Sequence, residues 1–453
     1  MENWNLVRDT GLMKLFSTLP VAFFQKERWF ADRNCQLELV LADSIQFIRT
    51  SPHQPVLTFN LFQTRPFHGY YYYLPLLITQ NRIGDQEALF EKNSYFFYDA
   101  IPTYEYVTLT EDFIQNQAVF SAAHGSFQFQ SFSSEVNMPR VRLQGSTSNS
   151  LLFVAREYLL KNYRRIYPGV NPELKISTSL AGVDSKQIPE IYGSINYHQS
   201  DSDYTLGIIM ETVENFGTGW ERWGRLVKEL SSENEQLLQD EAELLGRALG
   251  VFHGELGTIA KKSGEFLCFE GTDLEERVDN ISNNLRELVS LPETQSIVAK
   301  LKDVKKGLFQ KKLGAKFRIH GDLHLEQVIK TGAGWRFLDL EGEPLKPIPE
   351  RENYDSPLKD LASMLRSISY RFCGEAANNR GIEGKISSAL TEGYLDGCRE
   401  VKADFLPETA EFQWLLILFQ IERAAYECLY ELKYRPDWLW IPQSGLADLA
   451  RRL

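Results

Sequence analysis

His320-Gly-Asp-Leu-His-Leu-Glu-Gln327, followed across a short hairpin by Phe337-Leu-Asp-Leu-Glu341, decides the reading of this chain. Moving a phosphoryl group from ATP to a hydroxyl needs a carboxylate that orients or deprotonates the acceptor. It also needs oxygen ligands that hold Mg²⁺ against the β- and γ-phosphates. The spacing for this chemistry puts the base at the third position of H-x-D and a metal-binding amide five residues further on. Here Asp322 takes the first place and Gln327 the second. Asp339 closes the next expected strand, where a second metal-binding carboxylate belongs. Taken alone, His320, Asp322 and His324 could form a loop hydrogen-bond cluster, with Asp339 capping a strand. The same four residues could instead ligate zinc or a metal pair in a hydrolase. The full series, H-x-D-x-x-x-x-Q, hairpin, F-x-D-x-E, favours phosphoryl transfer.

The parts that transfer needs are present upstream. Gln144-Gly-Ser-Thr-Ser-Asn-Ser150 lies between two expected strands. Its amides, and the hydroxyls of Ser146, Thr147 and Ser148, could cover ATP phosphates; the bland alternative is a polar hairpin turn. Lys161 follows the next strand and could reach the α- and β-phosphates, with Glu173 as its ion-pair partner. The competing reading leaves Lys161 in a solvated basic cluster with Arg164 and Arg165. Asn171-Pro172 reads as an N-cap and first turn, so a helix carries Glu173. A strand at Tyr204–Met210 leads into Glu211-Thr-Val213, where the backbone of Met210, Glu211 and Val213 could meet adenine. The Gly-rich Asn215–Trp220 then predicts a hinge between two lobes.

Beyond it the chain turns helical. Leu237, Glu241, Leu244, Leu245, Leu249 and Phe252 keep a mostly apolar i, i+3/i+4 spacing on one expected face. Helices are expected at Leu274–Leu288, Leu358–Phe372 and Phe412–Lys433, around a β island at Lys316–Ile319, Gln327–Lys330 and Trp335–Leu340. Residues 1–110 are aromatic, with strands at Val56–Phe62 and Tyr70–Ile78 and no catalytic constellation. The charged, aromatic segment Lys26–Arg33 reads there as a packing corner, and residues 111–135 as a helix and loops. The layout expected is therefore an N-terminal cap (1–110), a small β-rich nucleotide-binding lobe (111–212) and a helical lobe (213–453) with the catalytic loop.

Near the C-terminal end, Arg423, Glu427, Glu431 and Arg435 recur every four residues and share one helix face. One reading is an ion-pair ladder facing water. The other is a sugar site, because hydroxyls want charged partners and sugar C–H faces want aromatic rings. Tyr426, Tyr430, Trp438 and Trp440 favour the second. The candidate acceptor contacts are His324, Glu427, Glu431, Arg435 and Trp438. Composition narrows the partners: 49 Lys+Arg against 61 Asp+Glu leave a net charge of −12, which repels nucleic acid and anionic lipid. No stretch approaches the roughly 18 consecutive apolar residues of a spanning helix. Five scattered cysteines with no C-x-x-C pair, and an N-terminus without a signal-like apolar core, suit a cytoplasmic protein.

These residues together resemble the bacterial maltokinases, which make maltose 1-phosphate from maltose and ATP and are often encoded with, or fused to, trehalose synthase. The resemblance runs over nearly the whole chain: ERWFADR (27–33), LQGSTSNS (143–150), NYRRIYPGVNPEL (162–174), HGDLHLEQV (320–328), FLDLEGEP (337–344), DSPLKDLASMLRS (355–367) and YELKYRPDWLWIP (430–442). It implies an α+β, bilobal protein-kinase-like (aminoglycoside phosphotransferase-like) fold with an N-terminal cap subdomain. It further implies Asp322 as catalytic base, Gln327 and Asp339 as Mg²⁺ ligands with Glu341 beside them, and Lys161 as the phosphate-binding lysine. Gln327 stands where kinases in general carry Asn, and Glu341 where D-F-G carries Gly. The implied partners are ATP, Mg²⁺, maltose or a related sugar, and trehalose synthase, in trehalose and glycogen metabolism. Similar proteins include glucosamine kinases, so another sugar is the alternative. A non-catalytic, kinase-like partner of trehalose synthase is a third reading, against which the intact Asp322 and Asp339 argue.

Overall fold

The computed structural model describes residues 4–27, 29, 30, 32, 37–49, 55–84, 86–132, 141–146, 150–154, 158–288, 294–308, 311–342, 354–375 and 380–453. Two compact units result: Met1–Thr178 with Pro189–Val213, and Ser179–Ile188 with Glu214–Leu453.

Runs rich in β-branched and aromatic residues make the first unit a protein of sheets. Among the described residues one sheet runs in the order Trp4–Val7, Glu38–Arg49, Val56–Arg65, Leu76–Thr79, Tyr95–Asp99, Phe90–Lys92. The expected strand at Tyr70–Ile78 is two strands, Tyr71–Tyr73 and Leu76–Thr79. They part around Pro75, which has no N–H for a ladder. The second sheet is antiparallel, in the order Val141–Ser146, Ser150–Val154, Tyr158–Asn162, Ser202–Glu211, Ile191–Gln199, Ser126–Ser131, Val119–Ser121. The helix and loops expected over residues 111–135 are instead the end of a helix, Tyr104–Gln115, and two strands of this sheet. Their Phe-Gln-Phe-Gln alternation has period two and buries Phe127 and Phe129.

One aromatic core serves both sheets. Phe47 and Phe113 lie 4.8 Å apart between ring centroids, and Phe113 and Phe129 5.0 Å; such pairs add about 0.5–1.5 kcal/mol each beyond area burial. A slip in the ladder between Leu41 and Asp43 accompanies the burial of the Asp43 carboxylate. There it accepts from the N–H groups of Ala123 (2.9 Å) and His124 (3.0 Å) and from the Tyr197 hydroxyl (2.7 Å). Three donors offset the cost of taking that charge out of water.

The second unit is helical: Gly219–Lys228, Ser232–Ser263, Gly271–Glu287, Thr294–Leu308, Leu358–Glu375, Arg380–Glu400, Thr409–Tyr434 and Trp440–Arg452. Its β island is smaller than expected. Ala315–Lys316 pairs with Leu267–Cys268, and Val328–Thr331 with Gly334–Phe337. In Ser232–Ser263 the buried face holds Leu238, Glu241, Ala242, Leu245, Leu249 and Phe252, while Leu237 and Leu244 of the expected series face solvent. Small residues set that face. A Cβ added to Gly246 would lie 2.0 Å from the Leu390 carbonyl oxygen of Arg380–Glu400, and one on Gly393 would lie 2.1 Å from that of Glu243. Two helices this close need glycine where they touch. The Asn215–Trp220 stretch, expected as a hinge, is tied to the hairpin: Phe216 N–H donates to the Lys330 carbonyl at 2.8 Å, and Thr218 and Glu221 cap the next helix reciprocally. Among the described residues no helix is long and apolar enough to cross a membrane, and Cys268, Cys373, Cys398 and Cys428 are free.

Candidate active site

The 320–327 segment is held from below by one buried carboxylate. Asp360, in the first turn of Leu358–Glu375, accepts the N–H of His320 at 2.9 Å and that of Gly321 at 3.0 Å. The ring of fully buried His253 meets the same carboxylate at 3.1 Å. Burial by itself would raise the Asp360 carboxyl; His253, His320 and the Gly321 N–H together hold it below its ordinary value. Gly321 adopts φ +85°, the left-handed region that favours glycine. His320 then closes the loop. Its Nδ1 accepts from Asp322 N–H at 3.4 Å, which leaves Nε2–H to donate to the Leu338 carbonyl at 2.8 Å. The residue before Asp339 is thereby fastened to the residue before Gly321.

Past the loop, Gln327 donates from Nε2 to Asp339 Oδ2 at 3.2 Å. Asp339 sits at φ +59°, a left-handed conformation that Asp tolerates better than most residues. Ligand oxygens of Asp339 and Glu341 come within 4.8 Å of one another. With the Gln327 amide oxygen, this is an all-oxygen donor set of the kind that suits Mg²⁺. The competing hydrolase ligand set does not form. Both His320 nitrogens are occupied by backbone groups, and among the described residues His320, Asp322, His324 and Asp339 do not converge on one point.

Asp322 Oδ1 lies 3.3 Å from Nη1 of Arg423, at the wall of a cavity of about 790 Å³. Arg423 Nε stands 3.5 Å from Glu427 Oε1, whose other oxygen accepts Nε (3.1 Å) and Nη2 (2.9 Å) of Arg366. One turn on, Arg435 clasps Glu431 at 2.7 and 2.9 Å, and the Tyr370 hydroxyl donates to Glu431 at 3.3 Å. Glu431 is 2% exposed and Arg366 3%, so this face is not a ladder turned to water. Tyr426, Tyr430 and Tyr434 follow one another along the same helix at 6.4 and 4.9 Å. The Arg435 guanidinium lies over both Tyr430 and Trp438. Trp440 does not join them; it lines a different cavity. His324 borders the same cavity as Asp322, where burial first and Arg423 second push its imidazole down to about 4. It is neutral at pH 7, and its Nδ1 accepts from Glu326 N–H at 3.3 Å.

In the first unit, Lys161 is 7% exposed and its Nζ lies 2.6 Å from Glu173 Oε2, which also accepts the Tyr163 hydroxyl at 2.8 Å. Lys161 lies within the strand Tyr158–Asn162 rather than after it, opposite Ile208. The solvated basic cluster is not there: Arg164 is buried against Asp99. Asn171 caps its helix by accepting Glu173 N–H at 2.8 Å. Met210 and Glu211 end the strand Ser202–Glu211; Glu211 N–H is already donated to the Glu190 carbonyl at 2.8 Å, and Val213 is the last residue of the unit. Ser146 closes the strand Val141–Ser146, while Thr147 and Ser148 lie outside the described residues. Asp360, Arg366, Ser367, Tyr370 and His253 were not among the expected site residues. The signal for the first two was a charge inside an apolar helical run, DLASMLRS.

No protein-family model matches the chain. It is 23% identical over 136 residues to the glucosamine kinase of Streptacidiphilus jiangxiensis, covering 29% of this chain and 31% of that protein, less than a third of it. To the glucosamine kinase of Mycolicibacterium smegmatis it is 19% identical over 348 residues, or 74% of this chain and 85% of that one. Among solved structures, a glucosamine kinase in complex with glucosamine, ADP and inorganic phosphate superposes with a TM-score of 0.71 at 16% identity, covering 96% of this chain and 98% of the other. A second crystal form of glucosamine kinase gives 0.71 with 97% and 99% covered. The chain therefore has the α+β kinase-like fold of those structures, as its catalytic-loop series led one to expect.

Proposed function

We propose that the protein is an ATP-dependent phosphotransferase acting on a sugar hydroxyl. The observation that carries this reading is the position of Asp322: its carboxylate forms the wall of a cavity lined by carboxylates, guanidiniums and aromatic rings. At about 790 Å³ that cavity falls in the roughly 300–1,000 Å³ range of small-molecule sites. The acceptor hydroxyl donates its proton to Asp322 as its oxygen attacks the γ-phosphorus of ATP, the bond from that phosphorus to the β,γ-bridging oxygen breaks, and ADP leaves with the bond's electron pair. Arg423 keeps the carboxylate turned toward the cavity, and neutral His324 offers a hydrogen bond without adding charge. Gln327, Asp339 and Glu341 would hold magnesium, which would supply neutralisation of charge on the transferring phosphate. Lys161, ordered by Glu173, serves the remaining phosphates, together with the Ser146–Ser148 turn; the backbone of Met210 and Val213 and the carbonyl of Glu211, whose N–H is taken by Glu190, serve adenine.

For the sugar, maltose is the first choice and maltose 1-phosphate the product. The row Tyr426–Tyr434 covers eight rises of the helix, about 12 Å at 1.5 Å each, room for two hexose rings rather than one. Glucosamine is the second reading, favoured by the names of the similar kinases. In the first reading the product feeds α-glucan synthesis in the cytoplasm, with trehalose synthase as partner. ADP release with maltose, glucosamine and glucose, and the phosphate position by ³¹P NMR, test this. An anomeric phosphate on maltose supports the first reading, turnover of glucosamine alone supports the second, and no ADP release with any sugar overturns both.

A further inference from the structure

We propose that a second saccharide site, one that takes a neutral polyhydroxylated ligand, lies in the cavity walled by the helices Leu358–Glu375, Arg380–Glu400, Thr409–Tyr434 and Trp440–Arg452. This cavity measures about 560 Å³ and lies wholly within the second unit. It is separate from the acceptor cavity, and the Arg366–Glu427 pair stands between them: Glu427 lines one and Arg366 the other.

Two polar side chains more than nine-tenths buried reach its lining. Arg366 gives Nε and Nη2 to Glu427, so that Nη1 is left over. That nitrogen packs against Gly445, where an added Cβ would sit only 2.1 Å from it, so the glycine is what admits the guanidinium to the cavity wall. Gln420, 7% exposed, donates its amide nitrogen to the Leu416 carbonyl, which leaves its own carbonyl oxygen as an acceptor. Glu383, Ser387 and the half-exposed Trp440 also line it.

The charge balance selects the ligand. Glu427 already meets the charge of Arg366, and Arg451 that of Asp448, which leaves Glu383 and Glu392 against Arg452 in the lining. A phosphate or a free carboxylate would find net repulsion. A neutral polyol fits instead: its hydroxyls donate to carboxylates and to Gln420, accept from Arg366, and its C–H face packs on Trp440. Trp438 and Trp440, two positions apart, thus serve neighbouring cavities.

The proposal goes beyond the kinase reading and depends on no phosphoryl transfer. Glucose and maltose are titrated into the full chain without ATP, followed by calorimetry and tryptophan fluorescence. A saturable fluorescence response that survives Trp438→Phe and disappears in Trp440→Phe is expected. Ser387→Phe, which fills the cavity from one helix, should lower the maltose stoichiometry from two per chain to one and leave phosphoryl transfer at its original rate. Trp440→Ala gives the same reading should Ser387→Phe fail to fold. One maltose per chain with no response from Trp440 to either sugar overturns the proposal. Loss of ADP release with every sugar would count against the kinase reading alone, since this binding is read without nucleotide.

Discussion

Asp322 and Glu427 are both carboxylates beside Arg423, yet their environments assign them different work. Asp322 has the Arg423 guanidinium at 3.3 Å and borders open cavity, a position from which a carboxylate can take a proton from a bound hydroxyl. Glu427 is held on both sides, by Arg423 and by buried Arg366, so it is placed to orient a ligand. Asp322→Asn should therefore leave the thermal midpoint and nucleotide binding unchanged while kcat falls by at least ~10²-fold, the scale of lost general-base assistance. Wild-type turnover in that variant would remove Asp322 from the mechanism. Glu427→Ala is a different experiment, because it strands the Arg366 charge in the interior. Breaking one side of a buried pair costs about 3–5 kcal/mol, whereas replacing both sides by apolar residues of similar volume is often neutral. Denaturant unfolding should thus show Glu427→Ala strongly destabilised and the Arg366→Met, Glu427→Leu double variant largely restored. Steady-state kinetics should show sugar turnover lost in both. Restored turnover in the double variant would make the pair a structural strut only.

At the scale of elements, the contact between Ser232–Ser263 and Arg380–Glu400 shows what the sequence told and what it hid. The spacing announced a helix and, with Glu241, Leu245, Leu249 and Phe252, most of its buried side, but it misplaced Leu237 and Leu244 and did not show what packs there. That side is chosen by glycines, which carry no apolar signal and matter only because another backbone comes within reach of a missing Cβ. Helix propensity would rank every glycine on these helices as equally dispensable. The packing makes them unequal. Gly393→Ala should push a methyl onto the Glu243 carbonyl oxygen and cost about 1–3 kcal/mol through overpacking. Gly384→Ala, on the same helix with nothing within 4 Å of the added carbon, should be neutral or stabilise by up to about 1 kcal/mol. Equal midpoints for the two variants in urea would show that the helices can part without loss. The catalytic loop was legible for the opposite reason: its chemistry fixes residue types at fixed spacing, so His320, Asp322, Gln327 and Asp339 stand out in one dimension. Asp360 and Arg366 did not, because their partners lie 40 and 61 positions away in the chain.

Across the whole molecule, a net charge of −12 means that acid first relieves repulsion and then removes the carboxylates the fold relies on. Arg277 marks where the second effect begins. From the helix Gly271–Glu287 it binds Asp355, just ahead of Leu358–Glu375, and Glu422, within Thr409–Tyr434; Asp355 in turn takes Lys359 at 3.2 Å and exchanges backbone hydrogen bonds with Phe317. Four separate stretches of the second unit are thus tied together through Asp355 and Arg277. Burial would raise the Asp355 carboxyl, but Arg277 and Lys359 overcome it and hold the group down at about 2. A carboxyl depressed in the folded state contributes stability above its unfolded value, near 3.9, and loses it as pH falls toward the folded one. The difference of nearly two units corresponds to about 2–3 kcal/mol, withdrawn between about pH 4 and pH 2. Asp355→Asn cannot carry that charge at any pH. Its unfolding free energy should be lower than wild type by about 2 kcal/mol or more at pH 7, and the gap should close as both proteins are taken from pH 4 to pH 2. Urea unfolding at stepped pH reads this directly, and a gap that stayed constant over that interval would show that the fold does not depend on the charge at Asp355.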